Sequence, residues 1–434
     1  MRHDVCAFLL KHNFVRRIDI NAVVASLLYD MDNGIKGLPS DLAMLKTWCV
    51  PPEKHIKNES TIVIDAGGTN FRSGLVVFDT EGNPSVCEFE KTAMPGVGQM
   101  LGRAEFFDRM AENLDHVKNK ADKIGFCFSY PIEITPDGDG ILLNFSKEIN
   151  APEVVGSAVG KELCAALVKR GWKRPKKITL LNDTVAALLG GAALADKGKS
   201  YSSYVGFILG TGMNSAYIQP ETALDGGKKF IKQIVVCESG GFAKIYLSDF
   251  DKALDKKTIR PGSFLLEKQC SGAYLGSLAL EVIRCAAEEN LFSPSVCKEI
   301  SAFKDLSLIE VDSFLHSPHS KNHKIGALCA LSCDKDLEIL YELLDSVVER
   351  SARYAAALLC AAVIQSGEGK DPSRPVCIMC NGTTFHKTHK VSSRCAAYLE
   401  EFLFYQRGLS YELVSKENDI TYGSAVAGLT DRIV

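Results

Sequence analysis

Apolar residues along the chain alternate between short runs with strand spacing and longer stretches repeating every three to four positions, the pattern of an α/β protein. The helical stretch near Asn21 to Met31 is followed by a turn at Gly37 to Ser40. A further segment, Asp41 to Trp48, is expected to end at Pro51 and Pro52, since proline cannot continue a helix. Strands are expected at Thr61 to Asp65, Ser73 to Phe78, Ile124 to Phe128 and Ile178 to Asp183, with helices at Arg103 to Asp122, Glu153 to Arg170 and Val185 to Leu194. A second series opens at Tyr204 with two apolar runs around a glycine turn and continues through Ile234 to Glu238. Beyond it the spacing predicts helices over Phe264 to Ala287, Lys335 to Ile364 and Val391 to Arg407, with a strand at Val376 to Cys380. The charged stretch Asp249 to Lys257 reads as a solvated surface loop.

Two glycine turns recur in equivalent settings. Gly67-Gly68-Thr69 and Gly210-Thr211-Gly212 each join two strand-like runs, and glycine lets backbone N–H groups meet a phosphate at close range. Each taken alone also fits an ordinary hairpin. Together they suggest two similarly built halves with a nucleotide between them. Between the two turns, the apolar run Ile178 to Leu181 stops at Asn182-Asp183-Thr184, directly before a helix. Asn182 or Asp183 could simply cap that helix. In open α/β sheets, however, ligands bind beyond the carboxyl ends of strands, which places a carboxylate here within reach of substrate.

Composition narrows the classes. The 434 residues allow two to three domains, and 50 basic against 53 acidic side chains leave a net charge of -3, which argues against a nucleic-acid binder. No run reaches the roughly 18 apolar residues of a membrane span; the nearest, Tyr354 to Ile364, is short and rich in alanine. The amino terminus has no signal-peptide pattern, so a cytoplasmic location without membrane attachment is expected. Most of the 15 cysteines sit within apolar segments, as reduced core thiols do. Cys377 and Cys380 form a CxxC, but no second pair completes a zinc set.

The ordered motifs resemble the hexokinase family, among the actin-like sugar kinases, from about Met44 to the carboxyl end. Asp65 to Arg72, DAGGTNFR, is similar to the first phosphate hairpin, with Ala66 where the family usually has glycine. Ser129-Tyr130-Pro131 and Asn144 to Lys147 resemble the sugar-binding loop, although Phe145 and Ser146 precede Lys147 in place of the usual Trp-Thr. Leu181 to Thr184 matches the catalytic segment and Leu209 to Ala216 the second phosphate hairpin. Cys237 to Gly240 resembles Glu-Trp-Gly with Ser239 replacing tryptophan. Glu267 through Gly276 resembles the next sugar-binding helix, and Asn381 to Thr383 and Gly423 to Ala425 the adenosine turns.

The resemblance implies an α/β, two-lobed actin-like (ribonuclease H-like) ATPase fold with a cleft between a large domain, 1–55 with 183–419, and a small domain, 56–182 with 420–434. It implies ATP-dependent phosphorylation of a hexose, D-glucose first, at the 6-hydroxyl, the opening step of glycolysis, with Mg²⁺ accompanying ATP. The chain would be a monomer or homodimer. Asp183 is expected to accept the hydroxyl proton, with Lys147 supplying positive charge near the sugar or the moving phosphoryl group. Ser129, Ser146, Lys147, Asn182, Asp183, Asn214, Glu238 and Glu267 would hydrogen-bond the sugar. Asp65, Gly67, Gly68, Thr69, Asn70, Arg72, Gly210, Thr211, Gly212, Gly382, Thr383 and Ser424 would hold the nucleotide. A non-catalytic glucose sensor on the same fold is the alternative; an actin-like assembly ATPase would not need the sugar-binding set.

Overall fold

The structure, a computed structural model, describes residues 1–145, 149–194, 198–328 and 333–431. Its frame is a pair of sheets built to one plan. In the first, β1 (Glu59–Gly67), β2 (Asn70–Phe78), β3 (Pro84–Ala93), β4 (Lys123–Phe128) and β5 (Lys177–Leu181) take the order β3-β2-β1-β4-β5. The hairpin partners are antiparallel, whereas β4 and β5 join in parallel. In the second, β6 (Ser203–Leu209), β7 (Met213–Gln219), β8 (Gln233–Val236), β9 (Val376–Asn381) and β10 (Tyr411–Val414) repeat that order, with the same directions. The duplication expected from the two glycine turns is therefore a duplication of topology.

Each sheet is followed by an equivalent helix, α1 (Asp183–Ala193) after β5 and α6 (Asp419–Leu429) after β10. These helices lie between the sheets. One apolar cluster joins Val63 and Cys127 of the first sheet, Val185 and Leu188 of α1, Ala216 and Val236 of the second sheet, and Ala425 to Ala427 of α6. Neither helix is amphipathic in the ordinary sense, because both faces meet protein. Backbones approach closely here: a Cβ on Gly423 would stand 1.7 Å from the Ala186 carbonyl oxygen, so glycine is required. The outer face of each sheet carries its own core. Phe106, Phe107 and Leu163 cover the first. The second is covered by the 33-residue helix α5 (Asp334–Ser366) and its neighbours.

Five expectations change. Asp249 to Lys257 is a helix, α2, closed by a capping box in which Ser248 and Asp251 bond one another's backbone N–H. Its charges conceal an apolar face with Phe250 and Leu254 buried, and Asp251 forms a buried bidentate pair with Arg350 at 2.7 and 2.9 Å. The stretch Phe264 to Ala287 is two helices, α3 (Leu265–Cys270) and α4 (Gly272–Glu288), parted at Ser271, where the Gly272 N–H is diverted to the Gly210 carbonyl at 2.8 Å. Asp41 to Trp48 is not helical. Leu45 and Lys46 pair with Val236 and Val235 at the sheet edge, and Met44 and Trp48 take left-handed backbone angles on either side. Glu153 to Arg170 becomes α-helical only at Val159, after a short 3-10 turn at Pro152–Val154, and the helix from Arg103 ends at Glu112. The sequence pattern also passed over β3, whose strand is exposed along most of its length.

Candidate active site

Strands β4, β5, β6 and β8 end towards one cleft of about 800 Å³, and β7 begins there. Its walls are Ala43 to Trp48 on one side and Ser129 to Pro136 on the other, with Asn182, Asp183, Asn214, Glu238 and Glu267 at the base. Five polar side chains drawn from distant parts of the sequence thus meet in one place.

Asp183 stands at the first position of α1, and Asn182 is its cap, accepting from the Thr184 N–H at 2.9 Å. Asn182 thus caps the helix, while Asp183 faces the cleft. The Asp183 carboxyl is pushed up to about 6, chiefly by burial, with Glu238 and Asp65 adding negative potential and the Thr184 N–H opposing the shift. It remains partly open to the cleft. A carboxylate poised this way can take a proton near neutral pH and yet be ionised beforehand.

Asn214, at the start of β7, organises the facing wall. Its Nδ2 donates to Glu238 Oε1 at 2.9 Å, while its Oδ1 accepts from the N–H groups of Ser215 and Ser239 at 2.8 and 3.2 Å. Glu238 has a left-handed backbone with φ +54°, a strained conformation for a non-glycine residue and one these bonds hold in place. Behind it, the hydroxyls of Ser215 and Ser239 lie 2.8 Å apart and buried, so Ser239 is part of a polar pair. Glu267 Oε2 accepts from the Met213 N–H at 3.0 Å. Burial raises the carboxyls of both Glu238 and Glu267 above their usual range. Such carboxylates are poorly solvated and would gain by accepting from hydroxyl groups.

The glycine turns lie above this base. Gly67 pairs with Asn70 across the first hairpin, and Gly68 and Thr69 are exposed at its tip. Tyr130 donates its hydroxyl proton to the Gly68 carbonyl at 2.7 Å, tying the cleft wall to the hairpin. Arg72 is not an isolated cation, since its Nη1 bonds Asp65 Oδ2 at 2.7 Å. In the second hairpin, the Gly210 carbonyl accepts from Gly272 N–H and Thr384 Oγ1, both at 2.8 Å, and the Thr211 carbonyl accepts from Ala273 N–H. Gly382 adopts φ +103° against this hairpin, where a Cβ would lie 2.2 Å from the Leu209 carbonyl oxygen. Thr211 and Thr383 are exposed beside Gly212 and Gly382.

Ser424, of the expected nucleotide set, lies inside a helix. It is fully buried within α6, donating its hydroxyl to the Ile420 carbonyl at 2.7 Å, and its carbonyl oxygen packs against Gly125 of β4. It serves helix-to-sheet packing. Ser146 and Lys147 lie outside the described residues. Cys377 and Cys380 belong to different apolar clusters on opposite faces of β9, so they cannot share one metal ion. No sequence motif marks the wall from Ala43 to Trp48 or Glu133 as part of the cleft. Their only signal is the Lys46-Thr47-Trp48 interruption before the two prolines.

Two family models, both described as hexokinase, match residues 9–193 and 204–430. Among curated proteins, Hexokinase-5 of Oryza sativa subsp. japonica is 29% identical over 383 residues, covering 81% of this chain and 74% of that protein. Hexokinase-1 of Schizosaccharomyces pombe is 24% identical over 433 residues, covering 94% of this chain and 86% of that protein. Among solved structures, a hexokinase from Schistosoma mansoni complexed with glucose has a TM-score of 0.74 at 22% identity, covering 98% of this chain and 99% of the other. That likeness concerns the fold, the two-lobed actin-like sugar-kinase architecture.

Proposed function

Because the chain belongs to the hexokinase family, we propose that it transfers the γ-phosphoryl group of MgATP to the 6-hydroxyl of a hexose, D-glucose before other hexoses, releasing ADP. The observation that carries this reading is the meeting of Asp183 with Asn182, Asn214, Glu238 and Glu267 at the base of one cleft.

The proposed mechanism needs little covalent chemistry from the protein. A sugar hydroxyl is a weak nucleophile, and phosphoryl transfer rests on positioning, charge neutralisation and an acceptor for the hydroxyl proton. Asn214, Glu238, Glu267, Asn182 and Ser129 would hold the ring hydroxyls. Asp183 would take the proton from the attacking hydroxyl. Thr69, Thr211 and the N–H groups of the glycine turns would cradle the phosphates, and Gly382 with Thr383 would hold the nucleoside end. Asp65 repels phosphate, so its suitable partner is the Mg²⁺ that enters with ATP, while Arg72 sets the Asp65 side chain in place. Lys147 keeps its proposed role near the sugar on sequence grounds alone.

Water competes with the sugar for the phosphoryl group. We therefore propose that sugar binding closes a small lobe, 56–182 with 420–434, onto a large lobe, 1–55 with 183–419, and excludes water. Asp183, at the junction of β5 and α1, would sit on the hinge. Among the described residues no helix is long and apolar enough to cross a membrane, and we propose that the enzyme works in the cytoplasm.

The test is coupled ADP release with and without glucose, for the native protein and Asp183→Ala. Turnover that requires glucose and falls by several orders of magnitude in the variant supports the assignment. Glucose binding without turnover in either protein would replace it with a sugar sensor.

A further inference from the structure

Outside the cleft, the described residues contain one group of three side chains able to ligate a metal ion: His12, Cys285 and Glu289. We propose that these three bind one divalent cation of the zinc class, with water completing the coordination, and that the ion clamps the N-terminal helix to the helical layer. None of the three lines the sugar cleft, so the proposal stands apart from the phosphoryl-transfer reading.

The sequence places the donors as a metal site needs them. Cys285 and Glu289 are four residues apart at the end of α4 and project from one face. His12 caps the carboxyl end of the helix His3–Lys11 and comes to them from the other end of the chain. His12 Nε2 lies 3.0 Å from Glu289 Oε1 and 3.5 Å from Cys285 Sγ, and all the donor atoms fall within 4.8 Å of one another. Tetrahedral zinc, with bonds of roughly 2.0–2.3 Å, separates its ligand atoms by roughly 3.4–3.6 Å. The cluster needs only small side-chain shifts to reach that spacing.

A second feature points to a cation. Asp249 Oδ2 lies 3.4 Å from His12 Nδ1, the outer carboxylate that fixes ring orientation and tautomer in many metal-bound histidines. Nε2, on the other side of the ring, faces Glu289 and Cys285. Lys11 also contacts Glu289 Oε1, at 2.6 Å, but its side chain is 62% exposed and can swing into water when the carboxylate takes the ion. Binding displaces the Cys285 thiol proton to solvent, and any proton on Nε2 with it.

The experiment uses the full chain, stripped with a chelator and titrated with Co²⁺ while absorption is followed, then with Zn²⁺. One equivalent of Co²⁺ should give a sulfur-to-metal charge-transfer band that Zn²⁺ abolishes. Cys285→Ser should lose the band, and Asp249→Asn should keep it with affinity reduced roughly 10- to 100-fold. Zn²⁺ should raise the Tm of the native protein and leave that of Cys285→Ser unchanged. Metal-free Cys285→Ser with native turnover and native Tm shows that the variant is folded; should it fail to fold, His12→Gln serves in its place and should lower the affinity. No band in the native protein, or a band that survives in both Cys285→Ser and His12→Gln, would overturn the proposal.

Discussion

Asn214 donates to Glu238 Oε1 at 2.9 Å while its own carbonyl oxygen accepts from the backbone on both sides of the cleft wall. The left-handed backbone of Glu238 and the direction of its carboxylate therefore depend on one amide. Asn214→Ala leaves a buried carboxylate short of a donor and two N–H groups short of an acceptor, at roughly 1–3 kcal/mol each. Steady-state kinetics should show the KM for glucose raised by one to two orders of magnitude and the KM for ATP nearly unchanged. An equal rise in both constants would mean that Asn214 supports the whole site and not the sugar wall alone.

Asp183 sets a pH limit. Its carboxyl, pushed up to about 6 by burial and the facing carboxylates, must be ionised to take the hydroxyl proton. The kcat/KM for glucose should rise with unit slope as pH climbs towards about 6 and level off above it. Asp183→Asn, close in shape but unable to take a proton, should lower kcat roughly 10²- to 10⁴-fold while calorimetry still registers sugar binding. A rate that is flat between pH 5 and 7 would point to another acceptor.

Much of this site could be read along the chain because its chemistry sits where regular elements stop. Asn182 and Asp183 end an apolar run, and Gly67 to Thr69 and Gly210 to Gly212 interrupt others, so spacing alone isolates them. Where packing overrides local pattern, the reading failed. Asp249 to Lys257 carries many charges because one face is solvated, yet Phe250, Asp251 and Leu254 are buried against α5 and its neighbours. Ser424 sits in a glycine and alanine run that resembles a ligand turn, yet its hydroxyl bonds the Ile420 carbonyl within α6, and Gly125, lacking a Cβ, makes room for its carbonyl oxygen. The cleft wall from Ala43 to Trp48 left no periodic trace, since its conformation is set by pairing with β8, almost two hundred residues away.

Gly382 allows a separate test of the nucleotide side. A Cβ there would collide with the Leu209 carbonyl at 2.2 Å, on a backbone with φ +103° that other residues rarely adopt. Gly382→Ala must therefore displace the Gly210 hairpin, at a cost of roughly 1–3 kcal/mol or more. The expected outcome is a lower Tm and a several-fold higher KM for ATP. Glucose binding, followed through the fluorescence of Trp48 on the cleft wall, should keep its affinity. A loss of glucose affinity as large as that for ATP would show that the two halves of the site are not independent.

The same Asp183 that serves the reaction should weaken the fold. A carboxyl whose pKa is raised on folding keeps its proton in the native state at pH values where the unfolded chain has lost it. Between the unfolded value of about 4 and the native value of about 6, the native state therefore binds more protons, and stability falls as pH rises through that window. Above it the loss is complete, on the order of 1–3 kcal/mol, the lower end reflecting the face that Asp183 keeps open to cleft water. Asp183→Asn carries no such penalty. Chemical denaturation at pH 7 should find the inactive variant more stable than the native protein, with the difference shrinking towards pH 4. A variant that is less stable at pH 7 would mean that the ionised carboxylate is held by favourable partners, and the raised pKa would be wrong in sign.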